Sequence, residues 1–335
     1  MTHEVKALFQ AYEKRGKTET TVLATVVALD GSSYRRPGVR MLIFENGDMV
    51  GAVSGGCVEK EVLRQAQSVF SSGIPKVMVY DGRYRLGCEG VLYILIEPFR
   101  PGEDFLDAFW KVLEHRKKFS IRSVYTKDQS ENLNYRSYFK LSNKDYPLAQ
   151  GWKEDQINLS HFEQEMRPCF QLMIIGSEHD AVQLCQFASL AGWEVTVVAN
   201  VKEEKTKNDF PRAHKLLQVD PEHFQPEVDK QTAVMIMTHS FVKDLQFLIA
   251  LKGIEIDYIG LLGPFKRREK LFEELLERCP EISEDFLERV HGPAGIDIGA
   301  ETPQEIAISI LSEILAVRNA KEPLPLKDKM GKIHT

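Results

Sequence analysis

From Cys169 onward the chain alternates short apolar runs with amphipathic stretches of helical length. Residues 170–175, 194–198, 234–237 and 258–262 read as strands, and 181–191, 241–252, 266–278 and 303–319 read as helices. A strand followed by a helix and another strand cannot close as a hairpin. It needs a crossover, which makes the sheet parallel and puts helices on its faces. Gly192 and Gly253 stand just past two of these helices, where a left-handed cap belongs. Thr302-Pro303-Gln304-Glu305 is a capping box with proline at the first helical position. The fold class is therefore α/β: a C-terminal Rossmann-like parallel sheet with helices on both faces, preceded by a small N-terminal α+β domain.

The N-terminal part has a different rhythm. Residues 3–14 have helical spacing, 20–29 are rich in Thr and Val, and 41–44 and 49–53 flank Asn46-Gly47, a strong hairpin signal. A helix over 58–70 and strands over 77–80 and 91–96 complete it. Beyond, 104–115 reads as a helix and 120–141 as a polar hairpin with aromatic alternation, while 142–168 shows little pattern. The expected organisation is a domain over 1–100, a bridging segment over 101–168, a Rossmann-like domain over 169–320 and a tail over 321–335.

Two places carry chemistry. Ser54-Gly55-Gly56-Cys57 joins a strand to a helix. Adjacent glycines permit a tight turn with exposed N–H groups, which at a helix start suits an anion. The same place lowers the pKa of a thiol, so Cys57 is a candidate soft-metal ligand or sulfur carrier. A buried cysteine in a tight turn is the competing reading, and the motif does not separate the two. Arg35, Arg36 and Arg40 lie in a glycine-bearing loop of the same domain, and guanidinium forks suit phosphate. Cys88, among Arg83, Arg85 and three glycines, is a second candidate thiol.

The second place is the mouth of the parallel sheet. Gly176 is the first glycine of a dinucleotide turn, but Glu178 stands where the second belongs, and the next strand ends Val198-Ala199-Asn200 without the usual acid. A carboxylate at that position repels phosphate, so NAD(P) is not expected. Gly176, His179 and His239 remain as candidate ligand contacts at the crevice, with Asp244 nearby. A scaffold kept for packing is the plainer alternative.

Composition removes other classes. A chain of 335 residues with 43% hydrophobic and 27% charged residues builds a core without staples. The net charge of -6 gives no electrostatic reason to expect nucleic acid. Five scattered cysteines with no CxxC pair argue against a disulfide framework or structural zinc, and fit reduced thiols in a cytoplasm. No apolar run is long enough to span a membrane, and the N-terminus has no signal-peptide core.

The stretches GSSYRRPGVRMLIFENGDMVGAVSGGCVEKEV, IIGSEHDA, MTHS, YIGLLGP and GPAGIDIGAETPQEIAISILSEILAVRN together resemble the XdhC/CoxI family of molybdenum-cofactor accessory proteins. The resemblance implies a chain that binds the molybdenum cofactor (molybdopterin), holds it during sulfuration and passes it to a xanthine dehydrogenase-type molybdenum hydroxylase of purine catabolism. It implies a cysteine desulfurase as sulfur donor and a homodimer. The family's cysteine after two glycines falls on Cys57, in contact with molybdenum, and its arginine loop on Arg35, Arg36 and Arg40. The chain departs from the family pattern at Glu178, Ala199 and Gly263-Pro264. Two other readings stay open: a xanthine dehydrogenase subunit, for which cysteine runs of the iron–sulfur type are absent, and an NAD(P)-binding oxidoreductase.

Overall fold

The computed structural model of the chain describes residues 1–16, 18–31, 36–56, 58–82, 90–149 and 159–330. It divides into two compact units, Met1–Pro168 and Cys169–Thr335.

In the first unit, helix α1 (Thr2–Ala11) leads into strands β1 (Thr21–Asp30), β2 (Arg40–Phe44) and β3 (Met49–Gly51), then helix α2 (Glu59–Ser72) and strands β4 (Lys76–Asp81) and β5 (Val91–Pro98). With the two-residue strand β7 (Ser130–Glu131) these form an antiparallel sheet of order β3-β2-β1-β5-β4-β7. Asn46-Gly47 turns the β2–β3 hairpin, as its chemistry predicts. Strand alternation gives this sheet two faces. Met41 and Ile43 of β2 pack with Val58, Val62 and Ala66 of α2. Leu42 and Phe44 point the other way, into a second cluster.

That second cluster revises the expected domain organisation. Helix α3 (Glu103–Glu114) and strands β6 (Phe119–Tyr125), β8 (Arg136–Leu141), β9 (Lys144–Pro147) and β10 (Ser160–Met166) supply Phe105, Phe109, Phe119, Phe139 and Met166 to the same core as Phe9, Leu23 and Leu42. Phe9 stacks on Phe109 with centroids 4.0 Å apart. The segment 101–168 is therefore no bridge. It is half of the first unit, built on a four-stranded antiparallel sheet of order β10-β6-β8-β9. Its aromatic rings leave water against one another and against α1 and the first sheet, and that shared burial holds it there.

Polar groups tie the two sheets together inside this apolar layer. Glu97 of β5, 2% exposed, accepts hydrogen bonds from Ser137 of β8, at 2.7 Å from its N–H and 2.6 Å from its hydroxyl. Arg40 of β2, 5% exposed, donates through Nη1 to Gly38 O and to Gln164 Oε1 of β10, both at 2.7 Å. Burial pushes the Glu97 carboxyl up to about 7 and the Arg40 guanidinium down to about 10, since each charge has left water.

The second unit is a parallel sheet with helices on both faces. Strands β11 (Gln171–Ile175), β12 (Glu194–Ala199), β13 (Lys215–Gln218), β14 (Thr232–Ile236), β15 (Tyr258–Leu261) and β16 (Val290–His291) lie in the order β13-β12-β11-β14-β15-β16, every pairing parallel. Counted within the unit this is 3-2-1-4-5-6, the Rossmann order, with its switch point between β11 and β14. Helices α4 (His179–Leu190) and α8 (Pro303–Arg318) cover one face. Helices α5 (Phe241–Leu251), α6 (Phe265–Arg278) and α7 (Glu284–Glu288) cover the other. The Thr302 capping box forms as the sequence predicts, with Glu305 N–H donating to Thr302 Oγ1 and Thr302 N–H to Glu305. No described helix is long and apolar enough to cross a membrane.

The buried Glu97 sets a pH dependence. Its carboxyl holds a proton to about pH 7 when folded, whereas the unfolded chain releases it near the ordinary value of 4.5. The native state binds the extra proton between those pH values, so stability falls as pH rises through that window. A shift of this size corresponds to about 3 kcal/mol. Urea unfolding at pH 5 and pH 8 is expected to show a smaller fall in stability for Glu97→Gln than for the wild type. An equal fall in both would mean that Glu97 does not carry it.

Candidate functional site

The turn that begins α2 is built around a glutamate. Glu59, in the first turn of α2, is 8% exposed. Its Oε1 accepts the Ser54 N–H at 2.7 Å, and its Oε2 accepts the Ser54 hydroxyl at 2.7 Å and the Gly56 N–H at 2.9 Å. Ser54 Oγ in turn accepts the Val58 N–H at 3.3 Å. Burial works against this charge, but the hydrogen bonds from Ser54 and Gly56 outweigh it and hold the carboxyl below its ordinary value. Gly56 takes φ +121°, and no described residue lies within 4 Å of a Cβ built on Gly55 or Gly56.

This geometry corrects part of the expected site. A phosphate is expected on the Gly55-Gly56 backbone, but the Gly56 N–H, with that of Ser54, serves the chain's own carboxylate, and a second anion there meets a buried negative charge. The described part of the turn does not fit a phosphate. Cys57, Arg35 and Cys88 lie outside the described residues. Arg36 is exposed. Arg40 alternates with Leu42 and Phe44, so its guanidinium enters the layer between the sheets, on the face opposite α2. It is not available to a ligand at the Cys57 turn. Of the arginine loop, only Arg36 is both described and open to solvent. Cys169, Cys185 and Cys279 are buried free thiols.

The mouth of the parallel sheet repeats the device. Gly176, at the end of β11, has φ +135°, and a Cβ there would come within 2.3 Å of Met237 O. Glycine is required by the close approach of two strand ends at the switch point. Ser177, 2% exposed, donates its hydroxyl to Glu203. The same carboxylate accepts the Asn200 N–H at 3.3 Å and pairs with Lys243 at 3.1 Å. Burial pushes the Glu203 carboxyl up, and the bonds from Ser177 and Lys243 more than reverse it. An acid does follow β12, four residues past its end: Glu203, whose signal is the Asn200-x-x-Glu203 capping box.

Of the other crevice residues, His239 has φ +57° and sits 3.6 Å from Asp180 across the switch point, which brings it to the same mouth as Gly176. His179 is the exposed first residue of α4. Asp244 is structural: it accepts from the Thr238 hydroxyl at 2.5 Å and from Arg267 at 2.7 Å, tying β14 to α6.

The fold and its two glycine turns define a class: a Rossmann unit preceded by an α+β unit with a cysteine-bearing turn. Residues 15–81 match the XdhC and CoxI family, and residues 172–314 match the XdhC Rossmann domain. The chain belongs to the XdhC and CoxI family. A protein of Bacillus subtilis (strain 168), named as a probable subunit of xanthine dehydrogenase, is 29% identical over 321 residues, covering 90% of this chain and 94% of the relative. A "Molybdenum cofactor insertion chaperone PaoD" of Escherichia coli (strain K12) is 26% identical over 306 residues, covering 90% and 84%. The crystal structure of a xanthine dehydrogenase from Bacillus halodurans superposes with a TM-score of 0.76 at 26% identity, over 94% of this chain and 96% of that one.

The two glycine turns make opposite predictions for one methyl group. Gly176→Ala must displace Met237 and adopt a left-handed backbone, and is expected to lose more than about 2 kcal/mol in denaturant unfolding. Gly55→Ala enters open space at ordinary backbone angles and is expected to stay within about 0.5 kcal/mol of wild type. Equal losses would refute the packing account of Gly176.

Proposed function

We propose that this chain is an accessory protein that handles the molybdenum cofactor for a xanthine dehydrogenase-type molybdenum hydroxylase. The observation that supports this best is the likeness over 90% of the chain to a protein named as a molybdenum cofactor insertion chaperone, together with family matches at both ends. In this reading the cofactor is molybdopterin, its soft metal end faces Cys57, and a cysteine desulfurase supplies sulfur. The chain works as a homodimer in the cytoplasm and serves purine catabolism. Molybdenum, when bound, supplies a soft centre that a thiolate ligates.

The chain's own contribution at this place is positional. Glu59 and Ser54 hold the backbone on both sides of Cys57, through Gly56 and Val58. Because Glu59 holds the Gly56 N–H, the phosphate of the cofactor is assigned away from that donor. The names of two relatives favour a second reading, in which the chain is itself part of xanthine dehydrogenase. Xanthine oxidation by the isolated chain tests that reading, and sustained turnover would support it.

Protein purified from a molybdenum-replete host is expected to carry a pterin detectable by mass spectrometry and stoichiometric molybdenum by elemental analysis. Cys57→Ala is expected to retain about tenfold less of both, while unfolding at the same denaturant concentration. A pterin-free wild type, or a Cys57→Ala protein that is fully loaded, would contradict the proposal.

A further inference from the structure

Between the two stretches matched by the family, residues 82–171 lie outside both. This part of the chain holds the most distinctive surface of the first unit. A groove of about 470 Å³ runs between the C-terminal half of α3 and the β8–β9 hairpin. Its floor is apolar, made by Ala108, Val112, Leu141 and Tyr146. Tyr146 is braced against Phe105, with stacked rings 5.4 Å apart, so the floor is anchored in the core. Its rim is cationic: Lys111, Lys117 and Lys144 line it, and no carboxylate does.

Three facts distinguish this rim from an ordinary solvated face. First, the chain as a whole is acidic, at -6, so three lysines on one groove rim run against its composition, although Asp107 and Glu114 of α3 flank Lys111 at helical spacing without pairing with it. Second, the lysines there have no carboxylate partner among the described residues. Lys111 and Lys117 make no ion pair, and Lys144 lies over the Tyr146 ring at 4.8 Å. On the adjoining surface, by contrast, Lys118 is neutralised by Glu165 at 3.3 Å. Third, the strand pattern sorts the charges: Lys144 and Tyr146 share the groove face of β9, and Asp145 between them belongs to the opposite face.

The backbone on both sides of the groove is also held out of its easy range. Arg116, after the end of α3, has φ +50°, and Ser142, in the hairpin turn, has φ +57°. Glycine is the usual occupant at a helix end of this kind and at the first position of a two-residue hairpin turn. Both turns keep a side chain where the backbone favours none.

We propose that the groove is a docking site for an acidic segment of another protein, with apolar residues at its centre and carboxylates on either side. The apolar floor takes the centre, and the lysine rim takes the carboxylates. A nucleic acid fits less well, because its sugar–phosphate backbone has no apolar group to bury against Val112 and Leu141, and the rest of the chain repels it. The inference goes beyond cofactor handling and does not require Cys57 or a bound pterin.

The test is fluorescence anisotropy of a labelled synthetic hexapeptide carrying a Leu-Phe centre between pairs of acids. An all-acid hexapeptide and a single-stranded hexanucleotide serve as comparisons. The Leu-Phe peptide is expected to bind in the micromolar range and more tightly than either. Lys111→Glu with Lys117→Glu is expected to weaken it by about tenfold or more, and added salt to weaken it further. The same charge change at the exposed Lys266 and Lys270 of α6 is expected to leave it unaltered. In the wild type, the peptide should slow amide exchange in residues 141–146. The proposal is overturned by absence of binding, by equal binding of the all-acid peptide, by tighter binding of the oligonucleotide, or by equal loss in the α6 control.

Discussion

A carboxylate drawn out of water must find donors, and at two places in this chain a glutamate finds them in a serine hydroxyl and in nearby backbone N–H groups. Glu59 takes Ser54 and Gly56 at the start of α2, and Glu203 takes Ser177 and Asn200 at the mouth of the parallel sheet. In each case a serine hydroxyl donates to the same carboxylate, and in each case the hydrogen bonds overcome the cost of burial and keep the glutamate charged. Glycine turns at helix starts ordinarily present their N–H groups to a bound anion. Here the anion is built in, and that one substitution decides which chemistry is left to each site.

At the first turn it leaves the thiol. Glu59 takes the Ser54 and Gly56 donors, and no described residue lies within 4 Å of a Cβ built on Gly55 or Gly56, so the proposed role falls to the Cys57 thiol. At the second turn the consequence is structural. Gly176 is explained by its approach to Met237, and Glu203 pairs with Lys243 at the same mouth.

Much of the second unit is legible in the sequence because parallel strands buried on both faces are short continuous apolar runs, and the helices between them carry clear caps. Strand β16 is not legible, since two residues make no pattern. In the first unit, α3 can be read from the spacing of Phe105, Phe109 and Val112, but not what it packs against. The exposed residues of β10 alternate with partly buried ones without an apolar set, which is why 142–168 looks patternless and 101–168 looks like a bridge. Arg40 is misassigned from sequence for a related reason: alternation shows that it shares a face with Leu42 and Phe44, but only the position of α2 shows which face that is. Glu203 is readable from its capping box. Glu59 is readable as a first-turn acid, though its partners, drawn from the preceding turn, are not.

The central claim is that Glu59 is the resident anion of the cysteine turn, and amide hydrogen exchange at Ser54 and Gly56 tests it most directly. In the wild type both amides should exchange slowly and be indifferent to inorganic phosphate. In Glu59→Ala they should exchange fast and become phosphate-sensitive. Fast exchange in the wild type that phosphate slows would show the turn to be an open anion site and would contradict the claim.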